Sequence, residues 1–152
     1  AGCDLALSCD VRLASTEARL GMPPARLGLL YSHEGMARLV SVVGSAAAKE
    51  LLLGAELVDA ERALQIGMVN RVVAPERLDG EVERFVAAVA ANAPLSVAAS
   101  KLIVNLIADG APLAPAALTA IEEAGRRVWA SDDSKEGPRA FRERREPRFT
   151  GS

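Results

Sequence analysis

Apolar residues recur at helical spacing in blocks along this chain, and glycine and proline separate the blocks. Residues 1–15 read as a small-residue turn, a short buried helix and then a strand. Two short strands are predicted over 11–14 and 18–22. Pro23-Pro24 ends the second, because proline removes a backbone donor and restricts the residue before it. Met36, Leu39, Val40 and Val43 fall at helical spacing and predict a helix over 35–43, closed by Gly44. Ser45 can cap the next helix, over 46–53, which stops at Gly54. Asp59 can cap a short helix ending at Gly67, and the Val-rich stretch 68–73 then reads as a strand closed by Pro75.

Beyond Pro75 the pattern is helical. Leu78, Val82, Phe85, Val86 and Val89 share one face of a helix predicted over 75–91. A second helix spans 95–108. A third, over 113–129, carries Leu118, Ile121, Gly125 and Val128 near one stripe. Asp133-Ser134-Lys135-Glu136 resembles a capping box, opening a last helix to about Arg145. The chain therefore divides near Pro75 into a mixed α/β part, 1–74, and a helical part, 75–152.

Composition narrows the class. The 152 residues suffice for one sizeable core. They are 50% hydrophobic and only 3% aromatic, so the core is aliphatic and Ala-rich, which favours closely packed helices with a modest sheet. A net charge of −2 gives no global attraction to nucleic acid or to a membrane. Cys3 and Cys9 stand six apart without a histidine cluster, which predicts two buried thiols and neither a metal site nor a disulfide framework. No apolar run is long enough to span a bilayer, and no signal peptide is present, so the expected location is cytoplasmic.

The N-terminal turn is the first candidate for chemistry. A small-residue turn feeding a helix leaves backbone N–H groups unpaired and pointing one way, where they can hold an anion or a developing oxyanion. These residues also carry a resemblance. Ala1-Gly2-Cys3-Asp4-Leu5-Ala6-Leu7 with Cys9-Asp10, Arg19-Leu20-Gly21-Met22-Pro23, Leu27-Gly28, Arg38-Leu39, Gly67-Met68-Val69-Asn70 and the closing Ala140-Phe141 and Arg144-Arg145 resemble the enoyl-CoA hydratase/isomerase (crotonase) family in order and spacing. The chain has no starting Met and looks like the C-terminal portion of that family. The resemblance implies an α/β fold: part of a ββα spiral, followed by a C-terminal helical oligomerisation region. The 1–74 segment would belong to the spiral, and 75–152 to trimerisation and coenzyme A contact.

It further implies chemistry on an acyl-CoA thioester, whose enolate oxygen is held by two backbone N–H groups. Ala1, with Gly2 beside it, matches one donor; the other would come from upstream. Asp4 matches the first of two carboxylates used in hydration, and Pro24 stands where the second would be. A proline cannot transfer a proton, so the usual two-carboxylate route is not available unchanged. The loop Tyr31-Ser32-His33-Glu34-Gly35 offers substitutes: Glu34 as a carboxylate, His33 as the only histidine, and Tyr31 as a donor to substrate. Each has a plainer alternative. Asp4 can be a helix-start acid, and Ser32 or Glu34 can support the first turn of the following helix.

Arg26 can bind an acyl carboxylate or pair with Asp10 or solvent. Phe141 and Arg144 match positions that bind the nucleotide end of coenzyme A. The alternative for the Arg run 139–148 is a solvated face, since Glu136, Glu143 and Glu146 nearly neutralise it and weaken any nucleic-acid reading. The expected partners are thus an acyl-CoA and further copies of the chain, as a homotrimer or hexamer, with no nucleic acid and no membrane. No cofactor or metal is implied, coenzyme A being part of the substrate. The second function class is a family member that binds acyl-CoA or only assembles.

Overall fold

A computed structural model describes residues 2–108 and 112–152. It forms two compact units, Ala1–Glu83 and Arg84–Ser152, divided inside a helix. The first unit opens with α1 (Gly2–Leu7), then β1 (Leu13–Ser15) and β2 (Arg19–Leu20). A 3₁₀ turn, Pro24–Leu27, leads to the long α2 (His33–Gly54), then β3 (Val58–Asp59), α3 (Ala60–Gln65) and β4 (Arg71–Val73).

The strands pair in two ladders. β1 runs parallel to β4 with Ala14 opposite Val72, and β2 runs antiparallel to β3 with Leu20 opposite Val58. A parallel pair needs a long crossover, here supplied by everything between residues 15 and 71. Arg12 strengthens the parallel join. Its backbone N–H donates to Asn70 Oδ1 at 2.8 Å, and its Nε donates to the Met68 carbonyl at 2.7 Å. The strands are shorter than the stretches 11–14, 18–22 and 68–73 predict, because only residues with a ladder partner qualify. Gly21 adds a constraint, since a Cβ there would lie 2.9 Å from the Glu56 carbonyl.

Two helices were expected on either side of Gly44. The structure has one element, α2, broken at that residue by φ 76° and ψ 164°. Glycine tolerates such a left-handed φ without a Cβ penalty, so the helix axis turns there without a linker. Ser32 caps α2, accepting from the Gly35 N–H at 3.2 Å, and Asp59 caps α3, accepting from the Arg62 N–H at 2.8 Å. The core of this unit is aliphatic and includes Leu7, Ala14, Met22, Leu39, Leu51, Ala63 and Met68. Leu39 and Met68 are its largest fully buried side chains.

The second unit holds the rest of α4 (Leu78–Ala90), with α5 (Pro94–Ala108), α6 (Pro115–Ala130) and α7 (Asp133–Glu143). α6 starts at Pro115 rather than at residue 113, as expected of a residue pre-set for the first helical turn. No residue of α4, α5 or α6 is fully buried in the chain by itself.

The capping-box expectation at 133–136 is corrected. No side chain of Asp132 caps α7, and Asp133 and Glu136 instead hold the chain's last residues. Buried Asp133 accepts from the backbone N–H of Thr150 at 2.7 Å and of Gly151 at 2.9 Å. Glu136 accepts from the Arg148 N–H at 2.9 Å and pairs with Arg145 at 2.6 Å and Arg139 at 2.5 Å. Those contacts, Arg145 first, hold the Glu136 carboxyl well below its ordinary 4.5 despite partial desolvation. The buried-thiol expectation is corrected too. Cys3 is half-buried and Cys9 is exposed, because α1 ends at Leu7 and leaves Cys9 in the turn that follows.

Candidate active site

A cavity of about 400 Å³ lies in the first unit, where the start of α1 meets the segment after β2. Gly2, Cys3 and Asp4 form one wall. Gly21, Met22, Pro23 and Pro24 form another, and Leu27, Leu29, Leu30 and Tyr31 complete it. Asp4 is the one carboxylate among these lining residues. The three leucines are strongly exposed, so the cavity has an apolar rim that burial within the chain does not explain.

Asp4 sits in the first turn of α1, where the helix dipole favours an acid. Its Oδ1 is hydrogen-bonded and ion-paired to Arg38 Nη1 on α2, with both side chains about one third exposed, at 34% and 35%. Tyr31 faces the same carboxylate. Burial first, then the charge of Asp4 and the hydrogen bond to it, push the Tyr31 phenol above its usual range, so it remains a donor at neutral pH. The ring of Tyr31 packs where Gly35 has no side chain; a Cβ at Gly35 would come within 2.2 Å of Cε1. Burial likewise pushes the Cys3 thiol up, partly offset by a hydrogen bond from Gly21, which leaves a neutral thiol in the wall.

The residues singled out in the sequence thus divide. Gly2, Asp4, Pro24 and Tyr31 come together around the cavity. A Cβ at Gly2 would meet nothing within 4 Å, so that backbone is open to an incoming group. Ala1 lies outside the described residues. His33 and Glu34 do not line the cavity. They stand at the start of α2 with side chains 85% and 68% exposed, paired to each other at 3.3 Å. Arg26 is exposed in the 3₁₀ turn and also lies outside the lining. In the second unit, Phe141 is 86% exposed near the end of α7, and Arg144 is the C-cap with φ 53°.

Two features of the site go beyond what residue spacing predicts. Arg38 contacts Asp4 across 34 positions, which no local spacing predicts. The apolar run Leu27-Gly28-Leu29-Leu30 fits neither helix nor strand period, and that lack of period was the available clue to an exposed apolar wall.

A larger cavity of about 900 Å³ lies in the second unit, lined by Asp133, Glu136, Arg139, Arg145 and Arg148 among others. Its carboxylates and guanidiniums are largely paired with one another, so it reads as a clasp. Among the described residues, no group of three or more His, Cys, Asp or Glu side chains is placed to hold a metal ion. No single helix among them is long and apolar enough to cross a membrane.

Comparison with known proteins gives this geometry a family. The model of the enoyl-CoA hydratase/isomerase family matches residues 1–152. A short-chain-enoyl-CoA hydratase of Clostridioides difficile is 44% identical over 105 residues, covering 69% of this chain and 68% of that protein. A crotonyl-CoA hydratase of Syntrophomonas wolfei is 37% identical over 149 residues, covering 97% of this chain and 56% of that protein. Among solved structures, an enoyl-CoA hydratase/carnithine racemase from Magnetospirillum magneticum superposes with a TM-score of 0.89 at 32% identity, over 99% of this chain and 55% of that one. The chain thus spans little more than half the length of the last two. On sequence and on fold together, the chain belongs to the enoyl-CoA hydratase/isomerase, or crotonase, family.

Proposed function

We propose that the protein acts on an acyl-CoA thioester through its enolate, as a hydratase or double-bond isomerase, with Asp4 as the carboxylate that moves the proton. The observation that carries this reading is the position of Asp4. It is the one acid in the wall of an apolar-rimmed cavity, beside the backbone that opens α1. The backbone N–H at Ala1, with Gly2 beside it, would supply one of the two donors that hold the enolate oxygen, the other coming from upstream, since developing negative charge is best stabilised by fixed donors. Leu27, Leu29 and Leu30 would suit an acyl chain, and Tyr31 would donate to the substrate by turning its single O–H from Asp4. Phe141 and Arg144 would meet the nucleotide end of coenzyme A. Backbone donors do the work of charge stabilisation in this scheme, so it calls on no metal or redox cofactor.

Pro24 distinguishes the reading from two-carboxylate hydration. It lines the cavity, at the position that the family resemblance gives to the second acid. With one carboxylate, a single group can take a proton from one carbon and return it to another, which favours isomerisation. Glu34 is the second candidate acid and would need to reach inward from its exposed position. Pro24 also favours a second reading, a member that binds acyl-CoA without turning it over. Helices α4 to α6 bury no residue fully, which supports assembly into a homotrimer or hexamer by their apolar faces. A cytoplasmic acyl-CoA metabolism is the matching setting.

The test is an assay of the full-length protein with crotonyl-CoA and with a 3-enoyl-CoA, following the conjugated thioester absorbance. Asp4→Asn is expected to lower turnover by about 10²-fold or more, the scale of a positioned acid–base group, and Glu34→Gln separates a shared role from a single one. Binding without turnover on either thioester would establish the second reading instead.

A further inference from the structure

Beside Asp4 stands a cation that the proposed chemistry does not yet use. Arg38 lies on α2 next to Leu39, which is fully buried and fixes the rotation of that helix. Upstream, the Ser32 cap fixes where the helix begins. With both set, position 38 is delivered to α1, and its Nη1 meets Asp4 Oδ1. Arg38 is not among the residues that line the cavity.

The Asp4 carboxylate has two oxygens and about four lone-pair directions. An aspartate on a six-residue helix can rotate about its side-chain torsions unless something holds it. The guanidinium engages one oxygen from a helix anchored by buried Leu39, and Tyr31 approaches the same group from the loop. Charge-assisted contacts of this kind are short and directional. We propose that Arg38 is a positioning residue for Asp4: it clamps one carboxylate oxygen so that the group presents a single orientation to the cavity. Misplacing a reacting group by about 1 Å can cost about 10²-fold in rate, so the clamp acts on turnover rather than on substrate binding.

This inference rests on Asp4 being the proton-moving group, and its test keeps the two apart. Turnover is measured in the full-length protein for wild type, Arg38→Gln, Arg38→Lys, Asp4→Asn and the Arg38→Gln/Asp4→Asn double variant, on crotonyl-CoA or a 3-enoyl-CoA. Arg38→Gln is expected to lower kcat by about 10-fold to 10²-fold with KM nearly unchanged, the mark of an interaction felt in the transition state. Arg38→Lys, with a shorter arm and a point charge, is expected to fall between Gln and wild type. Adding Arg38→Gln to Asp4→Asn is expected to cost nothing further, since the clamp then has no carboxylate to hold.

Wild-type kcat in Arg38→Gln overturns the proposal. So does an equal loss in the Asp4→Asn background, which would make Arg38 a staple between helices. Should Arg38→Gln not fold, Arg38→Lys carries the test, and wild-type kcat there overturns it. Full turnover in Asp4→Asn defeats the functional reading itself, whatever Arg38 does.

Discussion

The two units of this chain are held together by opposite means. In the first, the buried side chains are apolar: Leu39, Met68, Ala63 and Leu51 are closed off from water between α2, α3 and the paired strands. In the second, the buried side chains include Ser131, Asp133 and Glu136, while Val104, Ile107, Trp129 and Phe141 stay exposed. An aliphatic core stabilises wherever it is dry, and it carries no charge whose titration would weaken it. A buried acid stabilises only while its partners are present and its charge persists. The candidate site sits on the first kind of support, and the coenzyme A contacts proposed for Phe141 and Arg144 sit on the second.

The sharpest way to break the contrast is to hollow the aliphatic core. Leu39→Ala removes a fully buried side chain from the helix that also carries Arg38. The expected cost is about 2–5 kcal/mol, read as a shift of the denaturant midpoint. A cost below about 0.5 kcal/mol, the level of a surface substitution, would mean that this unit has no working core.

Acid should act on the other unit first. Glu136 has its folded carboxyl held below the ordinary value of 4.5, chiefly by Arg145 and the Arg148 N–H. Its contribution is therefore fully present above about pH 4.5 and is lost as pH falls toward the lower folded value. The backbone amide of Arg148, which Glu136 accepts, is expected to lose its exchange protection in that range before those around Leu39 do. Glu136→Gln should loosen the same amide at neutral pH and flatten the acid response. Uniform loss across both units would erase the distinction.

The smallest of these effects concerns a single cap. Asp59 accepts the Arg62 N–H at the start of α3, and Asp59→Ala is expected to cost about 0.5–2 kcal/mol. Because α3 contributes Ala60 and Ala63 to the buried set, the loss should appear in the first unit's melting alone.

What the sequence made legible follows the range of the forces involved. The break at Gly44, the caps at Ser32 and Asp59, and the helices after Pro75 rest on residues within a few positions of one another. They read directly from spacing. The strands shrank to two or three residues because pairing depends on a partner 38 to 58 positions away. Asp133 and Glu136 look like a helix start in sequence, yet their backbone donors lie 12 to 18 residues on. At the site, Asp4, Pro24 and Tyr31 were reachable through the family resemblance. Arg38 belonged to that resemblance too, but its pairing with Asp4 did not, since a guanidinium one turn beyond Glu34 looks like any solvated helix position until the fold brings α1 against it.

Formation of the thioester enolate beside Asp4 is the central claim, and it can be measured without knowing which product the enzyme makes. Butyryl-CoA incubated with the full-length protein in deuterium oxide reports each enolate as a deuterium at its α carbon. Wild type is expected to exchange that position, and Asp4→Asn to slow the exchange by about 10²-fold or more. Equal exchange by the two proteins, or none by wild type while the thioester is bound, would contradict the account.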